Sequence, residues 1–90
     1  MRILRKRYKL ASSEYRKSAN LRNYEKEITK AVWLVKPDAE VIVENDYYEV
    51  IPMLTKTESI AVSAILRMGI LKQFTLYRPC LFIGEEIEEE

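Results

Sequence analysis

The sequence predicts an α+β domain in which two helices pack on one face of a small, mainly antiparallel sheet. Three observations carry that prediction. An apolar stripe at helical spacing runs from Leu21 to Val35, two β-rich runs flank Asn45-Asp46, and a threonine capping box at Thr55 opens a second helical stretch. Ninety residues suffice for one small domain and leave no room for a second. Hydrophobic residues at 48%, charged residues at 32%, two glycines and three prolines describe an ordinary globular chain whose disorder is terminal.

Residues 2–10 alternate weakly. Leu4, Tyr8 and Leu10 share one side, but so does Lys6, and charge surrounds them, so residues 1–11 read as an edge strand or a loose basic N-terminal arm. Ser12 and Ser13 are N-cap residue types, because a short hydroxyl side chain accepts from the open amides of a first helical turn. At 100° per residue Leu21, Tyr24, Ile28, Ala31, Val32 and Val35 fall within an arc of about 100°, a core-facing helix that Pro37 ends. Glu40 to Glu44 and Tyr47 to Ile51 are β-rich, and the intervening Asn45-Asp46 tolerates positive φ, which predicts a tight hairpin. Pro52 closes the second strand.

Thr55-Lys56-Thr57-Glu58 matches a capping box, with Thr55 and Glu58 each satisfying the other's open amide. The helix that follows should end near Met68, with Gly69 left-handed and Ile70 folded back onto Ile65. Its predicted core face is Ile60, Ala61, Ala64, Ile65, Met68 and Leu71, extended by Val62 and Leu66, with a narrow polar strip of Lys56, Ser59, Ser63 and Arg67. The last element spans Lys72 to Ile83, with Pro79 marking an edge or a bulge, and Cys80, like Met68, reads as core filling. Gly84 and the acidic residues 85–90 read as a frayed tail.

The element order is α-β-β-α-β, or β-α-β-β-α-β if the arm is a strand; the longer order is the split-βαβ pattern of the ferredoxin-like fold. That version needs a central first strand, and a central strand carrying Arg5, Lys6, Arg7 and Lys9 would bury charge. A three-stranded sheet with a peripheral arm avoids the cost. The expected domain is therefore residues 1–84, with the arm at 1–11 and an acidic C-terminal tail at 85–90.

Charge is divided along the chain. Residues 1–30 hold ten basic and three acidic side chains, whereas residues 31–90 hold five basic and eleven acidic ones, under a net charge of +1. Such a division marks either a polyanion-binding region or an ion-pair-rich surface of the kind seen in thermophile-like compositions. One cysteine forms no internal disulfide, and no leader-like or membrane-spanning apolar run occurs, so an intracellular, cytoplasmic protein is expected.

The absence of histidine removes the commonest general base and transition-metal ligand, together with every Ser-His or Cys-His arrangement. One cysteine makes no structural zinc site, and two isolated glycines make neither a P-loop nor a dinucleotide turn. Asp38, Glu40, Glu44, Asp46 and Glu49 cluster around the hairpin, as a magnesium-dependent nuclease would require, but no later acid is followed two residues on by lysine. The expectation is a protein that is no enzyme, with no cofactor, no metal and no small-molecule substrate. Tyr47 and Tyr48 point to opposite strand faces, so they do not form the aromatic platform of an RNA-recognition sheet.

The outward face of the first helix carries the functional expectation. Tyr15, Arg22, Lys26, Lys30 and Trp33 lie within an arc of about 80°, roughly opposite the core stripe. Cationic groups neutralise phosphates and aromatic faces stack on unpaired bases, so this face, with Arg5, Lys6, Arg7 and Lys9 of the arm extending it, is a candidate surface for DNA or RNA. The competing reading packs Trp33 against the arm or a partner subunit, with Lys30 in a cation–π contact. A second function class is an assembly module: the wide apolar arc of the second helix predicts a homodimer, with Val62 and Leu66 as interface residues.

Overall fold

The computed structural model describes residues 3–12, 16–17, 19–69, 72 and 82–89, and for 3–5 and 85–89 the backbone alone. The expectations for Tyr15, Ile70, Leu71, Pro79 and Cys80 lie outside the described residues. In chain order come β1 (Ile3–Leu10), a 3₁₀ turn (Leu21–Tyr24) running into α1 (Glu25–Val35), β2 (Glu40–Val43), β3 (Tyr48–Ile51), α2 (Lys56–Met68) and β4 (Phe82–Glu89). The four strands form one antiparallel sheet in the order β2-β3-β1-β4. Ile28, Ala31 and Val32 of α1 and Val62 and Leu66 of α2 share one core with Tyr8, Leu10, Val43, Tyr48, Val50 and Phe82, so the architecture is α+β with both helices on one sheet face.

Two boundaries differ from expectation. The basic segment is no peripheral arm but a central strand, and the acidic tail is a strand paired with it. The β1–β4 register runs from Ile3 opposite Glu89 to Leu10 opposite Phe82, placing Lys6 across from Glu86 and Arg7 across from Glu85. Strand alternation turns Tyr8 and Leu10 inward, with Lys6, on the side of Tyr8, lying beyond it over Gly84 and only partly buried, and turns Arg7 to the other side of the sheet. There its Nε donates to Glu49 Oε1 at 3.2 Å, and its guanidinium lies 4.6 Å from the Tyr47 ring centroid. Glu49 of the neighbouring strand thus compensates a cation carried by this central strand.

The hairpin forms in the expected place, with Val43 opposite Tyr48 and the Glu44 amide donating to the Tyr47 carbonyl at 2.9 Å. Neither Asn45 nor Asp46 takes a positive φ; the positive φ lies instead at Asp38, 66°, in the turn after Pro37. A helical turn does open at Ser12, but it does not run on into the helix that carries the apolar stripe. Arg16 and Lys17 are helical, with the Arg16 amide donating to Ser12, but the chain leaves that turn before Ala19. Asn20 then caps a new start, its side chain accepting from the Arg22 amide, while the Leu21 amide donates to the Asn45 carbonyl at 2.8 Å. Hairpin and helix are thus fastened by an otherwise open helical donor.

The capping box of α2 forms in both directions: Thr55 Oγ1 accepts from the Glu58 amide at 3.2 Å, and the Thr55 amide donates to Glu58 Oε1 at 2.9 Å. That amide, with Thr55 Oγ1 and the Lys36 ammonium 3.5 Å away, holds the Glu58 carboxyl below its ordinary range against the opposing effect of desolvation. The helix ends at Met68, but Gly69 is not left-handed (φ −111°), and its amide closes a tighter bond to Leu66. The buried face is also rotated from the expected one. Val62 and Leu66, expected at an interface, are 0% and 2% exposed in the chain's own core beside Ser63, whereas Ile60 and Met68 are 62% and 84% exposed. An apolar arc this wide leaves several rotations open, and small Ser63 gives α2 close approach without a bulky inward side chain.

An aromatic layer joins the strands beneath the helices. The Tyr8 ring stacks on Tyr48 with centroids 5.0 Å apart, and Phe82 meets Tyr48 edge-on at the same distance. Gly84, opposite Tyr8 in the register, is required by this layer, because a Cβ there would lie 3.2 Å from the Tyr8 ring and 2.9 Å from the end of the Lys6 side chain.

Candidate nucleic-acid interface

The nine residues expected to contact phosphates or bases divide between two regions. Arg5, Lys6, Arg7 and Lys9 belong to β1, and the alternation of the strand sends Arg7 and Lys9 to the sheet face opposite the helices, away from the α1 surface. Arg7 is committed to Glu49 and Tyr47, and the stem of Lys6 lies over Gly84. Tyr15 lies outside the described residues.

Lys26, Lys30 and Trp33 are brought together at one groove, and Arg22 is exposed on the 3₁₀ turn that precedes α1. All four are exposed, because Leu21, Ile28, Ala31 and Val32 of the same elements face the core. Among the described residues Arg22, Lys26 and Lys30 make no side-chain ion pair or hydrogen bond. Lys26 and Lys30 stand one turn apart on α1, about 6 Å along its axis. Trp33 follows them. It is 52% exposed and lines an open groove with Glu25, Lys26, Thr29 and Lys30.

The indole position is fixed by a contact the sequence did not disclose. After Val35 the chain turns through Lys36, Pro37 and Asp38, which brings the Ala39 carbonyl back beside α1, where Trp33 Nε1 donates to it at 2.8 Å. Trp33 is therefore tied to the loop that follows its own helix. The only available signal was the spacing of Trp33 before a Pro-Asp turn, which does not by itself specify a hydrogen bond.

Glu40, Glu44 and Asp46 are exposed around the hairpin while Glu49 is buried beside Arg7, and among the described residues no three acids or cysteines converge as a metal site. A second groove lies between α1 and α2, bordered by Leu34, Ile65 and Gly69, and a third beside α2 is lined by Ser59, Ser63, Arg67 and Phe82. Among the described residues no helix is long and apolar enough to cross a membrane. No family model, no curated protein and no solved structure matches the chain.

Proposed function

We propose that this chain is a noncatalytic nucleic-acid-binding protein that contacts phosphates through the outward face of α1. The observation that carries the reading is that Arg22, Lys26 and Lys30 make no side-chain ion pair or hydrogen bond among the described residues, and that Lys26 and Lys30 share a groove with the anchored, half-exposed ring of Trp33. Free ammonium and guanidinium groups release counterions when they meet phosphates, whereas a cation already held by a buried carboxylate, as Arg7 is by Glu49, gains little. Binding is thus assigned to α1 and not to β1. The test is titration of Trp33 fluorescence with short DNA and RNA strands at low and at physiological salt. Quenching that weakens steeply with salt supports the reading. Unchanged fluorescence, together with unchanged anisotropy of a labelled strand, removes it.

A second reading, self-association through α2, has its own supporting observation: Ile60, Ala64 and Met68 form an exposed apolar stripe at four-residue spacing, with Leu34 of α1 also exposed. Its residues differ from Val62 and Leu66, which the core occupies. Ile60→Lys with Met68→Lys should convert a dimer to a monomer in size-exclusion chromatography, and a variant eluting with the parent removes this reading.

A further inference from the structure

We infer that the ligand of the α1 groove is a single strand of nucleic acid, with one unpaired base stacked on Trp33 and neighbouring phosphates on Lys30, Lys26 and Arg22. This rests on the reading of α1 as a phosphate-binding face and names the ligand class that face takes.

Three features select a single strand over a duplex. First, the Trp33 N–H is committed to the Ala39 carbonyl, so the indole offers a ligand its π face and no donor. Such a ring recognises the face of a base, not its edge. Inside a duplex those faces are already covered by neighbouring base pairs, and in an unpaired strand they are open.

Second, the cations run in one row. Lys26 and Lys30 follow one another at about 6 Å along α1, the order of distance that separates successive phosphates on one strand, and Arg22 precedes them on the 3₁₀ turn. Their line continues to the groove wall at Trp33.

Third, carboxylates flank that row. With 100° between residues, Glu25 lies about 80° to one side of Trp33 and Glu27 about 60° beyond Lys30, and both are exposed. A helix seated in the major groove meets phosphate walls on both sides, which would bring both carboxylates against like charge. A single strand lying along the cations meets only Glu25 of the two, at the edge of the groove.

The test uses the unmodified protein and three probes: a short oligothymidylate, the same phosphate chain with abasic sites in place of the bases, and a blunt duplex of equal length. Anisotropy of a labelled probe reads binding and Trp33 fluorescence reads stacking. The oligothymidylate should bind on the order of tenfold tighter than either other probe and should alone quench Trp33. Trp33→Leu should lower its affinity to that of the abasic strand while leaving abasic binding unchanged, and Trp33→Phe, which keeps a stacking face, should restore part of the difference. A duplex that binds as tightly as the single strand, or an abasic strand that binds as tightly as oligothymidylate, overturns the inference and leaves phosphate binding by α1 standing. If none of the three probes binds, both fall.

Discussion

The Tyr8 hydroxyl accepts a hydrogen bond from the Leu54 backbone amide at 3.2 Å, tying the central strand to the residue that precedes the α2 cap. Both residues are buried, so water cannot replace the lost partner. Tyr8→Phe leaves the Leu54 donor orphaned and is expected to cost about 1–3 kcal/mol in urea unfolding.

The neighbouring ring behaves oppositely. The Tyr48 hydroxyl is buried with no hydrogen-bond partner among the described residues, and desolvation, reinforced by nearby Tyr8, pushes its phenol well above the ordinary range. Tyr48→Phe keeps the stacking and removes an unsatisfied oxygen, so stability should rise by about 1 kcal/mol. The sign of the pH effect follows from linkage. A folded-state value raised above the unfolded one contributes stability that is complete below about pH 10 and lost as pH rises beyond it. Tyr48→Phe should therefore flatten the alkaline limb of a stability–pH profile.

At the other end of the scale lies Glu58. Its carboxyl is held low chiefly by the Thr55 amide, so its contribution is present above the ordinary glutamate range and disappears as pH falls through the lowered value. Glu58→Gln should remove that part of the acid sensitivity of the α2 helical signal in circular dichroism. Thr55→Ala, which loses the cap oxygen, should cost about 1 kcal/mol at neutral pH.

The β1–β4 pairing predicts a large effect from a small truncation. Ending the chain at Ile83 removes six of the eight register partners of β1, from Gly84 to Glu89, and should lower the melting temperature markedly; removal of a frayed tail would leave it unchanged. Gly84→Ala should also destabilise, by about 1 kcal/mol, because the ring of Tyr8 is fixed by Tyr48 and Leu54 and cannot move away from the added methyl.

Local chemistry was readable and long-range pairing was not. The Thr55–Glu58 box, the stop at Pro37, the hairpin at Asn45-Asp46 and the α1 stripe depend on residues near one another, and each forms where the spacing puts it. The β1–β4 pair joins segments more than seventy residues apart, and its charge disguised it: a run of Glu resembles a solvated tail until the basic strand it faces is known. The rotation of α2 was hidden for another reason. Ile60, Val62, Leu66 and Met68 are equally apolar candidates, and only packing against Tyr48 and Phe82 in a shared core selects Val62 and Leu66. Likewise Lys26, Lys30 and Trp33 were legible as one face from helical period alone, whereas their separation from the β1 cations required the sheet order.

The basic residues divide into those of β1 that are engaged by other groups and those of α1, Lys26 and Lys30, with no side-chain partner among the described residues, and the salt dependence of binding separates the two sets. A labelled single strand should be titrated over a range of salt with the parent, with Lys26→Ala/Lys30→Ala, and with Lys6→Ala/Lys9→Ala. The account predicts weaker binding and a log–log salt slope shallower by about 1.5 for the α1 variant, as two lost phosphate contacts require, and a near-parental slope for the β1 variant. A parental slope in the α1 variant with a shallow one in the β1 variant would contradict it.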